Sequence, residues 1–130
     1  MSIVQASIGA DHFKTEIKSE KNTIWADEPL ENGGKDLGFS PSELLAASLS
    51  ACTSITLRMY ADRKGWELKG IKVEVNFERD TINNTSKITR KIELIGNLDE
   101  TQKHRLMDIA NLCPIHKTLT NPIVIDTVVI

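Results

Sequence analysis

Aromatic residues are scarce in this 130-residue chain: one tyrosine, two tryptophans and three phenylalanines. That removes the stacking platforms on which single-strand nucleic-acid binders rest their bases. A basic face is missing as well. Sixteen lysines and arginines stand against eighteen acidic residues, for a net charge of −2. Neither sign dominates any long stretch, and the N-terminal part is mildly acidic through Asp27, Glu28 and Glu31. A nucleic-acid footprint needs clustered positive charge, so no nucleic-acid partner is expected. Met1-Ser2-Ile3-Val4 lacks a basic start, and Asp11 and His12 interrupt any apolar run, so no secretory signal is read. The most apolar stretch, Leu44 to Tyr60, is laced with Ser and Thr and carries Arg58. It reads as a buried helix, not a membrane span, and no membrane partner is expected. Cysteine is rare too, at two residues. In the reducing cytoplasm expected for this chain, a structural disulfide is disfavoured. Cys52 and Cys113 are then either thiols with a chemical task or plain core residues.

What remains is ordinary globular material. Apolar residues make up 40% and charged residues 26%, which argues against both disorder and a disulfide-stapled miniprotein. The length suits one domain over 1–130. Ser2 to Ile8, His12 to Ser19 and Asn22 to Asp27 read as a meander of three strands. Pro29 ends the third, and Glu31 to Asp36, with Gly33-Gly34, reads as a flexible turn-rich loop. Ser40-Pro41-Ser42-Glu43 is a helix start: Ser40 caps, Pro41 fits the first position, and Glu43 completes a capping box. The helix should run to about Lys64 and stop at Gly65. Ile71 to Phe77 and Ile88 to Leu94 alternate as the arms of an antiparallel hairpin. Asp99 opens a second helix with Gln102 at its box position, and Leu106, Ile109, Ala110 and Cys113 form its apolar stripe. Pro114 breaks it, a short helical turn to Thr120 follows, and Pro122 to Ile130 is expected to close as a last strand. The order βββ-α-ββ-α-β is an α+β architecture.

The long helix bears on assembly. No charged residue lies between Leu44 and Leu57, so it is mildly apolar on every face. Its roughly 24 residues span about 36 Å, while a globule of this size has a diameter of about 36 Å. One chain can hardly cover such a helix all round. A second copy would, so a homodimer centred on this helix is expected.

Cys52 lies mid-helix on the charge-free stretch, where a small core residue is the plainest reading. Cys113 differs because Pro114 follows it. A helix starting there would put Cys113 at the N-cap, where free amides and the helix dipole favour a thiolate. His116, one turn on, completes Cys-Pro-Ile-His. It serves as a rim residue, as a capping donor, or as a base for Cys113 in another class of enzyme. No bound metal or cofactor is expected: Cys52, Cys113 and His116 would lack a fourth ligand, and nothing repeats their spacing. His12 and His104 read as surface residues.

The stretch Phe39-Ser40-Pro41-Ser42-Glu43-Leu44-Leu45-Ala46-Ala47-Ser48-Leu49-Ser50-Ala51-Cys52-Thr53, followed by Leu112-Cys113-Pro114-Ile115-His116-Lys117, resembles the OsmC/Ohr family of osmotically inducible and organic hydroperoxide resistance proteins. The resemblance covers essentially the whole chain. It implies an intertwined homodimer with its sites near the subunit interface, and an antioxidant thiol peroxidase acting in the oxidative stress response. Cys52 would be peroxidatic and Cys113 resolving, with a lipoylated or other external dithiol as reductant. The pattern departs from the efficient peroxidases at two places. Their early-strand arginine is missing, since no arginine precedes Arg58; His12 or Lys14 are the available replacements. Their helper glutamate, ten positions before the first cysteine, is Ser42 here. Glu43 is rotated from that position by about 100°. The departures mark a divergent branch. A non-catalytic binder of a small hydrophobic molecule at the dimer interface is the alternative reading.

Overall fold

In the computed structural model, which describes residues 2–130, the chain divides into two compact units, Met1–Leu45 and Ala46–Ile130. The first is built on an antiparallel sheet of three short strands, β1 (Gln5–Ser7), β2 (Thr15–Lys18) and β3 (Thr23–Ala26), in that order. Ala6 and Ile24 lie on either side of Ile17 in the register, so β-prone side chains stack across the sheet. The strands are shorter than the sequence pattern suggests, because the intervening turns take up residues at each end.

The loop after β3 is turn-rich as expected, but it is not a slack tether. Asp27, only 2% exposed, accepts backbone N–H bonds from Phe13, Glu28, Lys35 and Leu37 at 2.7–3.4 Å. Its own N–H donates to the Phe39 carbonyl at 3.1 Å, beside a parallel bridge between Ala26 and Phe39. Gly33 takes the left-handed conformation (φ 88°) at the end of a 3-10 turn over Leu30–Asn32. Gly34 is required for another reason: a Cβ there would run into the Glu28 carbonyl.

Helix α1 (Pro41–Lys64) starts as its sequence dictates. The Glu43 N–H donates to Ser40 Oγ, and Glu43 accepts the Ser40 N–H at 2.9 Å. Gly65 ends it with φ 71°. Leu49, Thr53, Leu57, Tyr60 and Ala61 form its buried stripe. On the opposite side, about 200° round the axis, Ala51, Ile55 and Met59 are exposed, Ile55 at 58% and Met59 at 67%. One chain indeed leaves one face of the helix bare.

Strands β4 (Glu67–Asp80) and β5 (Thr85–Asn97) form a long antiparallel hairpin, with Ile71 opposite Leu94 and Val73 opposite Ile92. Its turn is closed by Asp80, which accepts the N–H groups of Ile82 and Asn83, and by Asn84 at φ 53°. Helix α2 (Glu100–Ala110) carries the full capping box of Asp99 and Gln102, and α3 (Pro114–Leu119) starts at its proline. The core gathers Leu57, Tyr60, Ala61, Leu68, Leu98, Leu106, Ile109 and Ala110, with Trp66, Ile71, Ile92 and Leu94 packed against it. Leu57 and Leu106 lose all exposure, a burial that contributes about 1.5–3 kcal/mol each.

The expected closing strand over residues 122–130 is a correction. The segment joins no ladder among the described residues, and Ile123, Val124, Ile125, Val128, Val129 and Ile130 all stay exposed. An apolar pattern favours a strand but makes one only where a neighbouring edge offers its backbone groups.

The Asp27 clasp yields a pH prediction. Burial pushes the carboxyl up, but the four N–H bonds, that of Glu28 foremost, outweigh it and hold the group below its usual 3.8. A lowered folded-state value means stability that is present above the unfolded value and lost as pH falls through the folded one. Asp27→Asn is expected to lower the thermal midpoint at pH 7, with the gap from the parent closing below about pH 4. Melting curves at pH 7 and pH 3 check this; a constant gap would contradict the clasp.

Candidate functional site

The sequence singles out two sulfurs, and the second unit holds both as free thiols. Cys52 sits mid-α1, half-buried, on the flank of the buried stripe next to Thr53, which has no exposed surface. Cys113 is sealed, at 0% exposure, in the connection between α2 and α3. It occupies the N-cap of α3 with extended backbone (φ −63°, ψ 142°), and its Sγ accepts the His116 N–H at 3.3 Å. The cap position expected from Cys113-Pro114 is therefore observed. Its physical origin is local: the proline supplies the first helical φ, and the sulfur satisfies an amide that has no carbonyl partner.

Arg90, which sequence reasoning passed over, ties these two segments together. It lies on β5, half-buried, at the same alternation parity as Ile88, Ile92 and Leu94. Its Nη1 donates to Thr53 Oγ1 at 3.0 Å and to the Ala110 carbonyl at 3.2 Å. Its Nη2 donates to Asn111 Oδ1 at 2.9 Å. The Thr53 hydroxyl gives its own proton to the Leu49 carbonyl at 2.7 Å, so its lone pair is free for the arginine. The Ala110 oxygen also receives the Cys113 N–H at 3.3 Å. One guanidinium thus joins the residue after Cys52 to the turn that carries Cys113. Every acceptor is neutral, and among the described residues Arg90 has no carboxylate within ion-pair distance.

His116, half-buried on α3, feels this charge. Burial pushes its imidazole below the usual value, and the Arg90 cation lowers it further. The ring is accordingly neutral near pH 7.

The other sequence candidates have local roles. Glu43 is the capping-box partner of Ser40, nine residues and roughly 14 Å of helix rise from Cys52. His12 stacks on Phe13 with ring centroids 5.0 Å apart, and the Lys14 ammonium lies 4.2 Å from the Trp25 ring centroid, both within the first unit. His104 is exposed on α2. Arg90 left one trace in the sequence: a charged residue standing where the strand's alternation calls for an apolar one.

Comparison with known proteins bears on the same residues. The family described as OsmC-like protein matches residues 33–128, a span that includes Cys52, Arg90 and Cys113. Among solved structures, one from Psychrobacter arcticus, described as an osmotic stress induced and detoxification response protein, is 25% identical with a TM-score of 0.79. The match covers 91% of this chain and 88% of that one. An OsmC-like protein from Mycoplasma pneumoniae is 24% identical with a TM-score of 0.79, over 92% and 86% of the two chains. The organic hydroperoxide resistance protein OhrB of Bacillus subtilis is 23% identical with a TM-score of 0.63, over 92% and 90%. The α+β architecture, with its strand order and helices, is that of the OsmC/Ohr structures. No curated protein matches the sequence.

The electrostatics of the site can be read on His116. Its titration midpoint, followed by NMR of the imidazole, is expected below the 6.5 of an unperturbed histidine. It should move upward in Arg90→Gln; an unmoved midpoint would mean that the guanidinium charge does not reach α3.

Proposed function

The chain belongs to the OsmC-like protein family, and on that premise we propose that it is a two-cysteine thiol peroxidase for organic hydroperoxides, with Cys52 peroxidatic and Cys113 resolving. The observation that carries this reading is the unequal exposure of two free thiols whose neighbours along the chain, Thr53 and the Ala110 turn, are bonded to one guanidinium. Cys52, half-buried on the helix, is open to a small apolar substrate. Cys113, fully sealed, is shielded from direct attack by peroxide.

The cycle balances as follows. The Cys52 thiolate attacks the distal oxygen of the hydroperoxide, the O–O bond breaks, and the alkoxide leaves as an alcohol after taking up a proton. Cys52 is left as a sulfenic acid. Cys113 then attacks that sulfur and expels water, forming an intramolecular disulfide. An external dithiol, lipoylated or otherwise, returns two electrons and two protons through a mixed disulfide. The chemistry uses no bound cofactor, and it belongs in a reducing, cytoplasmic setting where the dithiol is available.

A homodimer is part of the same proposal. The bare Ala51, Ile55 and Met59 face of α1 and the apolar residues 122–130 are what a second copy would cover. The substrate would then enter beside the interface, an apolar setting suited to organic hydroperoxides.

Cys52→Ser is expected to abolish peroxide consumption, a fall of at least about 10³-fold, while circular dichroism shows the fold intact. Cys113→Ser should complete one turnover and stop with Cys52 as a sulfenic acid, trapped by dimedone. An undiminished rate in Cys52→Ser would end the peroxidase reading and leave the binding of a small hydrophobic molecule as the alternative. Light scattering after gel filtration should give twice the 14.5 kDa of the chain, and Ile55→Glu with Met59→Glu should halve that mass. A monomeric parent would remove the dimer from the proposal.

A further inference from the structure

We propose that Arg90 is the positioning residue of the thiol pair, a fork that ties the Cys113 turn to Thr53, the residue after Cys52 on α1, and supplies positive charge to both thiols. This inference rests on the peroxidase reading and assigns a role to a residue which that reading does not require.

The placement of Arg90 is the first argument. On β5 its same-face neighbours are Ile88, Ile92 and Leu94, and an apolar side chain would fill that position without desolvating a charge. A guanidinium at such a site needs acceptors, and it finds three, from two elements other than its own: Thr53 on α1, and Ala110 and Asn111 at the end of α2. The planar guanidinium matches this spread, with Nη1 serving Thr53 and Ala110 and Nη2 serving Asn111.

The acceptors themselves are the second argument. An arginine drawn half-way into an apolar layer is ordinarily matched by a carboxylate, which cancels its charge. Here all three partners are neutral and no ion pair forms, so the positive charge is left for whatever anion arises nearby. In the proposed cycle those anions are the attacking thiolate, the departing alkoxide and the resolving thiolate. Two N–H groups, one at Nε and one at Nη2, remain undonated, and Nε is not a sealed orphan: among the described residues no buried side-chain nitrogen or oxygen lacks a partner.

The third argument is connectivity. Thr53 directly follows Cys52, and the Ala110 carbonyl takes both Arg90 Nη1 and the Cys113 N–H. A shift of the guanidinium therefore moves the anchor of the Cys113 turn. Resolution of the sulfenic acid requires that turn to present its sulfur to Cys52, and a turn released from Arg90 would do so more slowly.

The test compares Arg90→Gln and Arg90→Lys with the parent in two assays at pH 7. One is iodoacetamide alkylation of Cys52, located by mass spectrometry; the other is single-turnover reduction of cumene hydroperoxide. Arg90→Gln is expected to be slower by roughly tenfold in both, and Arg90→Lys, which restores the charge, to recover to within about threefold of the parent. A folded Arg90→Gln with parental rates overturns the inference, as does an Arg90→Lys no faster than Arg90→Gln. If Arg90→Gln does not fold, Arg90→Lys alone decides: rates within about threefold of the parent support the role, and a tenfold loss overturns it. Failure here is separable from failure of the peroxidase reading. Parental rates in Arg90→Gln with an inactive Cys52→Ser remove only the arginine's role, whereas an active Cys52→Ser removes the reaction itself.

Discussion

Burial of one stripe of α1 is the constraint on which the second unit depends. Leu57 is wholly enclosed by the hairpin and by α2, and Tyr60 and Ala61 extend the contact toward Leu68, Leu98 and Leu106. That packing sets the rotation of the helix. With Leu49, Thr53 and Leu57 turned inward, Cys52 must fall on the flank, half-covered, and Ala51, Ile55 and Met59 must face away. The exposure of the first thiol follows from where the leucines go.

A charge placed inside such a layer is stable only when its hydrogen-bonding capacity is met. Arg90 donates three of its five N–H groups by reaching across elements, and in doing so it couples α1 and the end of α2 to the sheet. The Thr53 hydroxyl illustrates the economy of the arrangement. Within α1 it would only bond back to the Leu49 carbonyl, a common habit of helical threonine. With Arg90 present, the same oxygen joins the helix to the sheet. The sulfur of Cys113 behaves in parallel, capping α3 through the His116 N–H while its own N–H shares the Ala110 carbonyl with the arginine.

The first unit solves a comparable problem with opposite charge. Asp27 is buried with no ion-pair partner among the described residues, and four backbone amides replace the water it gives up. A loop composed of Glu, Asn, Gly and Lys would look mobile by composition. Its shape is instead fixed by a carboxylate drawing N–H groups from both ends and by glycines where no side chain fits. The two units thus each organise backbone around one charged residue, Arg90 in one and Asp27 in the other.

The sequence alone determined whatever rests on neighbours along the chain. Ser40 to Glu43, Asp99 to Gln102, Pro114 and Gly65 place the starts of α1, α2 and α3 and the end of α1, because caps and φ preferences act over four residues or fewer. Helix α2 itself stops at Ala110, so Cys113 lies in the connection and not on its stripe. Alternation defined the hairpin, since period-two burial is a local pattern. The cap role of Cys113 was legible for the same reason. Tertiary structure alone decided the rest. Arg90 finds Thr53 and Asn111 at separations of 37 and 21 residues, and no spacing rule links such positions. Glu43 is held by Ser40 as the capping-box spacing predicts, nine residues from Cys52. Residues 122–130 have the composition of a strand but join no ladder among the described residues, because a ladder is made by two segments and the pattern of one cannot supply the other.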